Sequence, residues 1–236
     1  MTANAIAAAM EATWPPATTT RLGPWLLRDG QGGGKRVSAA TLEGEFEPTQ
    51  IMGVQLAMQS AGMRPLFQLK PRQEALDGAL SDRGYLVVDP VVIYAARLAD
   101  LPQSTPPPMT TFPHWLPLGI AADLWMEGGI GPERIAVMHR ARGPKCAVLA
   151  RNSDRAAGVA FVAMDGPIAM LHALEVTASM RRKGVARHIL QAAVCWARDN
   201  GGTDLGLAVT TANGPARALY ASFGMQVVGH YHYRQL

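Results

Sequence analysis

The sequence predicts a mixed α/β (α+β) fold built from two tandem lobes, and three observations lead there. Short runs of branched apolar residues alternate with stretches of helical periodicity. Two segments superpose without a gap when 140 is subtracted from the second: Gly202 falls on Gly62, LGLAVT (205–210) on PLFQLK (65–70), and ASFGMQVVG (221–229) on SDRGYLVVD (81–89). Self-similarity at one fixed offset is the mark of a duplicated supersecondary unit. Between the copies, LPQSTPPPMTTFPHWLP (101–117) holds six prolines, a composition that stays extended and reads as a linker. The expected divisions are a lobe at 1–100, the linker at 101–117 and a second lobe at 118–236.

Taken in order, MTANAIAAAMEATWPP has no cation before its short apolar stretch and meets Glu11 early, so it reads as an amphipathic helix and not as a signal peptide. DGQGGGKR (29–36) reads as a flexible hairpin tip and not as a phosphate cradle, because no helix start follows it directly. The second copy shows its elements more clearly. CAVLAR (146–151) and AAGVAFVAMD (156–165), split by the polar NSDR, form a hairpin pattern. IAMLHALEV (168–176) hardly alternates, as a strand buried on both faces would not. Val185, Ile189 and Ala193, beside Ala186, Leu190, Val194 and Ala197, then repeat at helical spacing until Asn200-Gly201-Gly202 closes the helix with a left-handed cap. Strand LGLAVT, helix GPARALYASF and the extended QVVGHYHYR complete the order β-β-β-α-β-α-β.

Composition narrows the function. In 236 residues, 48% hydrophobic and 17% charged, there is material for a sizeable core. Cys146 and Cys195 are far apart and in no ligand pattern, which implies bland thiols in a reducing compartment, no disulfide scaffold and no metal site. No apolar stretch of about 18 residues is free of charge and proline, so a soluble, cytoplasmic protein with no membrane partner is expected, a monomer or homodimer. The net charge of +4 is uneven: residues 1–105 hold 9 Lys+Arg against 10 Asp+Glu, residues 106–236 hold 13 against 8. An anionic ligand is therefore expected in the second half. The cations form no long stripe interleaved with aromatics, which argues against a nucleic-acid partner.

The sharpest motif is RRKGVA (181–186), where three cations crowd the start of a helix whose dipole already presents positive charge. Free backbone N–H groups after a strand, with Gly184 and Ala186 offering little or no side chain, suit a phosphate. The alternative is solvated charges at a helix end. Arg-x-x-Gly-x-Ala after a strand, then a strand, then Asn-x-x-Ala-x-x-Leu-Tyr-x-x-Phe-Gly-Met, resembles the GCN5-related N-acetyltransferase (GNAT) superfamily. The resemblance covers roughly residues 145–236 and, through the repeat, residues 20–98 more loosely. It implies a GNAT fold, a central mixed, mostly antiparallel sheet flanked by helices, in an acyl-CoA-dependent N-acyltransferase whose co-substrate is acetyl-CoA.

Residue by residue, the resemblance puts Arg181, Gly184 and Ala186 in the loop that binds the CoA pyrophosphate, with Arg182, Lys183, Val185 and Arg187 completing it. It puts Leu174, Glu175 and Val176 on the strand end whose exposed backbone bonds the pantetheine arm and the thioester carbonyl. Asn213 takes the place of an asparagine that contacts pantetheine, and equally reads as a helix N-cap followed by Pro215. Tyr220 takes the place of the tyrosine that protonates the leaving thiolate, the alternative being a core tyrosine. LHALEV resembles LHALAV of the arylalkylamine N-acetyltransferases, whose histidine is implicated as base. His172 holds that position, with a buried core histidine or an ordered water as the other readings. Glu175, expected on the opposite strand face, is the second candidate base.

Shifted by 140, Arg181–Arg187 falls on TLEGEFE (41–47), so Glu43, Glu45 and Glu47 stand among the cation positions, while Tyr220 falls on Leu80 and Asn213 on Gln73. The first lobe is expected to keep the shape without the chemistry and to shape the acceptor cleft. The implied activity is direct acetyl transfer, in a ternary complex, to a primary amine of a small molecule or amino acid. A protein or peptide N-terminal acetyltransferase and a non-catalytic acyl-CoA-binding regulatory module are the alternatives.

Overall fold

A computed structural model describes residues 2–236. The first half of the chain forms α1 (Ala3–Ala12), β1 (Thr18–Leu22), β2 (Trp25–Asp29), β3 (Thr41–Leu42), α2 (Gln50–Ser60), β4 (Leu66–Leu69), α3 (Glu74–Ser81) and β5 (Leu86–Arg97). The second forms β6 (Thr111–His114), α4 (Gly119–Glu127), α5 (Pro132–Arg140), β7 (Lys145–Asn152), β8 (Arg155–Asp165), β9 (Ile168–Val176), α6 (Val185–Asp199), β10 (Asp204–Thr210), α7 (Gly214–Ser222) and β11 (Gln226–Gln235). Each half thus contains the order β-β-β-α-β-α-β.

The strands make a three-stranded sheet, β1-β2-β3, and an eight-stranded sheet, β4-β11-β5-β10-β9-β8-β7-β6. A parallel bridge from Ala40 to Phe67 joins them, with Gln68 N donating to Ala40 O at 2.9 Å. Read outward from the contact of β5 with β11, the order β5-β10-β9-β8-β7 on one side mirrors β11-β4-β3-β2-β1 on the other. The halves have exchanged their last strands. β5 pairs antiparallel with β10 from Val91↔Thr210 to Arg97↔Asp204, and β11 pairs with both β4 and β5.

Exchange ties the two cores together. Val92, Tyr94 and Ala96 of β5 pack with α6, α7 and β7 to β10 on one face, whereas Val91, Ile93 and Ala95 pack with α1, α2 and α3 on the other. A third cluster buries Trp125, Val137 and Met138 of α4 and α5 against Phe161 of β8. The boundary near residue 100 therefore divides the chain but not the hydrophobic interior. The α6 helix ends as its sequence suggests: Gly201 N donates to Arg198 O and Gly202 N to Ala197 O, with Gly201 at φ +80°, a Schellman cap. Cys146 is buried, which pushes its thiol pKa up, and Cys195 is half-buried; both are free. Among the described residues no helix is long and apolar enough to cross a membrane, and no three His, Cys, Asp or Glu cluster as metal ligands would.

Three expectations need correction. Residues 101–117 are not wholly a linker: Thr111–His114 pairs with β7 as an edge strand, where Pro113 opposite Val148 is tolerated because an edge needs only one row of donors. DGQGGGKR is not a flexible tip. Its glycines are packed: a Cβ on Gly33 would collide with Val137 Cγ2, and Gly34 sits at φ +102°, where a side chain is strained, before a short 3-10 turn at Lys35–Val37. The 140 offset holds from the C-terminal ends of α6 and α2 onward and fails before them. α6 opens at Val185, which the offset would place at 45, yet α2 opens at Gln50. Glu43, Glu45 and Glu47 accordingly lie in the loop ahead of α2, Glu43 paired with Arg21 at 2.8 Å.

Candidate active site

β9 and β10 run parallel and pair from Ile168↔Asp204 to Leu171↔Leu207, then part. The cause lies in β9. Its partners on β8 are Phe161↔His172 and Val159↔Glu175, so β9 carries one extra residue, and Ala173 at φ +50° makes the bulge. The buried Trp125 of α4 holds it, its indole Nε1–H donating to Ala173 O at 2.8 Å. A bulge resets the alternation of side chains. Leu171, Leu174 and Val176 all pack on the α6 side, while His172 lies against Trp14 and Phe161, and Glu175 against Gly128 at the end of α4. Glu175 and His172 therefore share a face, contrary to the strict period of two read from the sequence.

The chain then turns through Ala178–Met180 into the basic loop. Arg182 at φ +63° and Gly184 at φ +82° fold the backbone so that α6 starts at Val185. Among the described residues no acceptor faces the backbone N–H of any residue from 182 to 187; the first bond of the helix is His188 N to Gly184 O. Six consecutive donors without an internal acceptor thus gather at the positive end of a 15-residue helix, where the dipole and the free N–H groups favour negative charge. Arg182 and Lys183 are exposed beside them. Arg181 is committed elsewhere, its Nε donating to Val176 O at 3.1 Å and its Nη2 to Glu175 Oε1 at 3.2 Å, which ties the loop to the end of β9. Arg187 lies over the Phe223 ring, 5.4 Å from its centroid.

Tyr220 comes from α7 and packs on Tyr94 of the exchanged strand β5, ring centroids 5.8 Å apart. Burial pushes its pKa up to about 12, so it stays protonated at neutral pH, and its hydroxyl has no hydrogen-bond partner among the described residues. Asn213 caps α7, its side-chain oxygen accepting from Ala216 N at 3.2 Å. His172 is held at both nitrogens. Thr13 Oγ1 gives its hydrogen to Ala9 O and stands 2.9 Å from His172 Nε2, so Nε2 is the protonated nitrogen. Nδ1 then accepts from Arg36 Nη2 at 3.2 Å. Burial, and next the Arg36 guanidinium, hold the His172 pKa well below its ordinary value.

Where the strands part, a cavity of about 230 Å³ opens on the face shared by His172. Ala173 of β9 and Ala208–Thr210 of β10 form its floor, and the glycine-rich loop with Lys35 and Arg36, Arg134 of α5, and Tyr231 and Tyr233 of β11 form its walls.

The profile of the Acetyltransferase (GNAT) family matches residues 114–225, which span the parted strands and the basic loop. The chain carries a GNAT domain. It is 27% identical over 240 residues, 94% of each chain, to the uncharacterized N-acetyltransferase YobR of Bacillus subtilis (strain 168). In fold it is similar to a GCN5-related N-acetyltransferase from Kribbella flavida, with a TM-score of 0.75 at 16% identity over 100% of this chain and 95% of that one. It is also similar to a conserved protein of Staphylococcus epidermidis ATCC 12228, with a TM-score of 0.67 at 9% identity over 91% of each chain. As a GNAT protein it is an acyl-CoA-dependent acyltransferase.

Against this GNAT frame, the residues predicted from sequence fall in two groups. Leu174 to Val176 and Arg181 to Arg187 are contiguous along the parted edge and the loop, while Tyr220 and Asn213 stand at the two ends of the next pair of turns on α7. His172 and Glu175 share the opposite face. Sequence reasoning missed Thr13, Trp14, Arg36 and Arg134, which surround His172 and the cavity, and Trp125, which holds the bulge. The signal for Arg36 was present in GGGKR, whose glycines admit the close packing of that loop.

Proposed function

We propose that this GNAT protein moves an acetyl group from acetyl-CoA to a primary amine of a small molecule or amino acid by direct transfer in a ternary complex. The observation that carries it is the parted edge of β9 running into six unsatisfied N–H groups flanked by Arg182 and Lys183. Those groups fit a pyrophosphate, and Gly184 adds no side chain to obstruct it. Acetyl-CoA supplies the activated acyl group. The backbone of Leu174 to Val176 offers donors toward the carbonyl oxygen as negative charge grows there, a contribution of about 3 kcal/mol for one good donor.

Transfer forms an N–C bond and breaks the C–S bond, so one proton leaves the nitrogen and one reaches the sulfur. Tyr220, protonated and without another partner, stands for donation to sulfur. For the nitrogen, Glu175 is favoured over His172: its Oε1 accepts from Arg181 but its Oε2 has no hydrogen-bond partner among the described residues and the carboxylate is partly exposed, whereas the one lone pair of His172 already accepts from Arg36 and its conjugate acid is disfavoured. His172 is better read as the group that holds Arg36. The first lobe, by the same reading, is a GNAT-like unit that has lost donor binding and supplies acceptor-side walls. A thiol-release assay with acetyl-CoA against amines, amino acids and N-terminal peptides tests the proposal. Release dependent on a small amine supports it, release with peptides alone shifts it to N-terminal acetylation, and CoA binding without release on any acceptor removes the catalytic reading.

A further inference from the structure

We propose that the acceptor amine also carries an anionic group, carboxylate or phosphate, which Arg36 and Arg134 hold in the cavity at the parting of β9 and β10; this rests on the transfer reading given above. Four charged side chains line that cavity: Lys35, Arg36, Asp89 and Arg134. Lys35 and Asp89 neutralise one another at 2.6 Å, an ion pair that bridges the glycine-rich loop and β5. Neither Arg36 nor Arg134 has a carboxylate within ion-pair distance among the described residues, so the wall retains two positive charges.

Arg36 is held in place, and Arg134 lies over the glycine-rich loop. Arg36 lies 5.7 Å from the Trp14 ring centroid, gives one Nη2 hydrogen to His172 Nδ1, and has a buried Nε with no partner. A buried guanidinium N–H left unsatisfied is costly unless a ligand supplies the acceptor. Arg134 packs flat on the glycine-rich loop, its Nε and Nη2 each 3.2 Å from where a Cβ on Gly34 would stand. Planar, paired N–H donors match carboxylate and phosphate oxygens better than any neutral group. A cavity of about 230 Å³ has room for an amino acid or a phosphorylated amino alcohol. His172, kept neutral, adds no third charge and acts here as a positioning residue for Arg36.

The test compares acceptors that differ only in the anion: α-amino acids against their carboxamides, and phosphoethanolamine against ethanolamine, each with acetyl-CoA. The wild-type protein should prefer the anionic member of at least one pair by about ten- to a hundredfold in kcat/KM. That ratio should fall toward one in Arg36→Gln and in Arg134→Gln, with Arg36→Lys intermediate. The pair that shows the preference separates carboxylate from phosphate. Equal use of both members of every pair, or a ratio unchanged in both variants, overturns the proposal. If no amine is turned over, the same pairs are compared by calorimetric titration of the CoA-loaded protein. Saturable binding of an anionic member that Arg134→Gln weakens then supports the anion site although transfer has failed, and its absence overturns the site while CoA binding itself persists.

Discussion

The most quantitative consequence of the site concerns acid. His172 is buried and neutral in the fold, its Nε2–H on Thr13 and its Nδ1 facing a cation, but it protonates freely in the unfolded chain near its ordinary pKa of 6.5. Below that value the unfolded state binds the extra proton and the folded state does not, so stability is full above pH 6.5 and falls as pH drops. From pH 7 to pH 5 this one group can cost at most about 2 kcal/mol, since each full unit below the unfolded-state pKa counts at most about 1.36 kcal/mol. In a chain of this size that corresponds to a fall of roughly 4–8 °C in Tm. Asp77, whose pKa is lowered from 3.8, first by its hydrogen bond from Arg234, titrates below the window and does not interfere. Urea denaturation at pH 5, 6 and 7 should show the slope in the wild-type protein and its loss in His172→Gln, which keeps hydrogen-bonding capacity but cannot protonate. A midpoint that does not move between pH 7 and pH 5, or that moves equally in the variant, would refute the neutral, doubly bonded histidine.

The catalytic assignments give further expected outcomes. Glu175→Gln should lower kcat by about a hundredfold or more while His172→Gln keeps most of it, and the opposite pattern would return the base role to His172. Gly128→Ala should mimic Glu175→Gln in turnover, because the new methyl would collide with Glu175 Cγ and displace the carboxylate; wild-type activity in that variant would separate Glu175 from the chemistry. Tyr220→Phe should slow CoA release by about ten- to a hundredfold with little change in acetyl-CoA affinity, as steady-state kinetics and calorimetry can show, and unchanged turnover would exclude it as donor. Arg182→Glu and Gly184→Glu should each abolish CoA binding measured by calorimetry, which should otherwise give one molecule per chain; two equivalent sites would mean that the loop before α2 also holds an anion despite Glu43, Glu45 and Glu47.

Local chemistry made the second lobe legible. The helical period of residues 185–197, the Gly201 cap and the Asn213-Pro215 helix start are each decided within a few residues, and each matches the structure. The partners of the strands were not legible. Nothing local to LVVDPVVIYAAR says that β5 will pair with β10 and β11, because both neighbours lie more than a hundred residues away and each offers the same apolar alternation. The bulge was hidden for a related reason. Ala173 looks like any strand alanine, and the force that places it at φ +50° is an indole 48 positions earlier in the chain. One unseen bulge sufficed to put Glu175 on the wrong face.

The same remoteness explains why the donor side could be read and the acceptor side could not. The proposed donor loop is a single contiguous stretch, RRKGVA, whose backbone donors and cations lie within about one turn of the start of α6. The proposed acceptor cavity draws on Trp14, Arg36, Asp89, Arg134, His172 and Tyr231, six positions spread over more than 200 residues and gathered by the exchange of β5 and β11. That exchange gives the first lobe its place in the molecule. With Glu43, Glu45 and Glu47 ahead of a shortened α2, it offers a pyrophosphate little, yet its first helix ends on His172 and its glycine-rich loop carries Arg36 over the parted strands. A duplicated unit that loses donor binding but stays bonded through its last strand is free to vary the acceptor wall without disturbing the donor loop. Substitutions at Arg36 or Arg134 are therefore expected to change which amine is chosen while CoA affinity, assigned above to residues 181–187 beyond the end of β9, stays within about twofold of wild type in calorimetric titration. A parallel loss of CoA affinity in those variants would show that the two sides of the cleft are not independent.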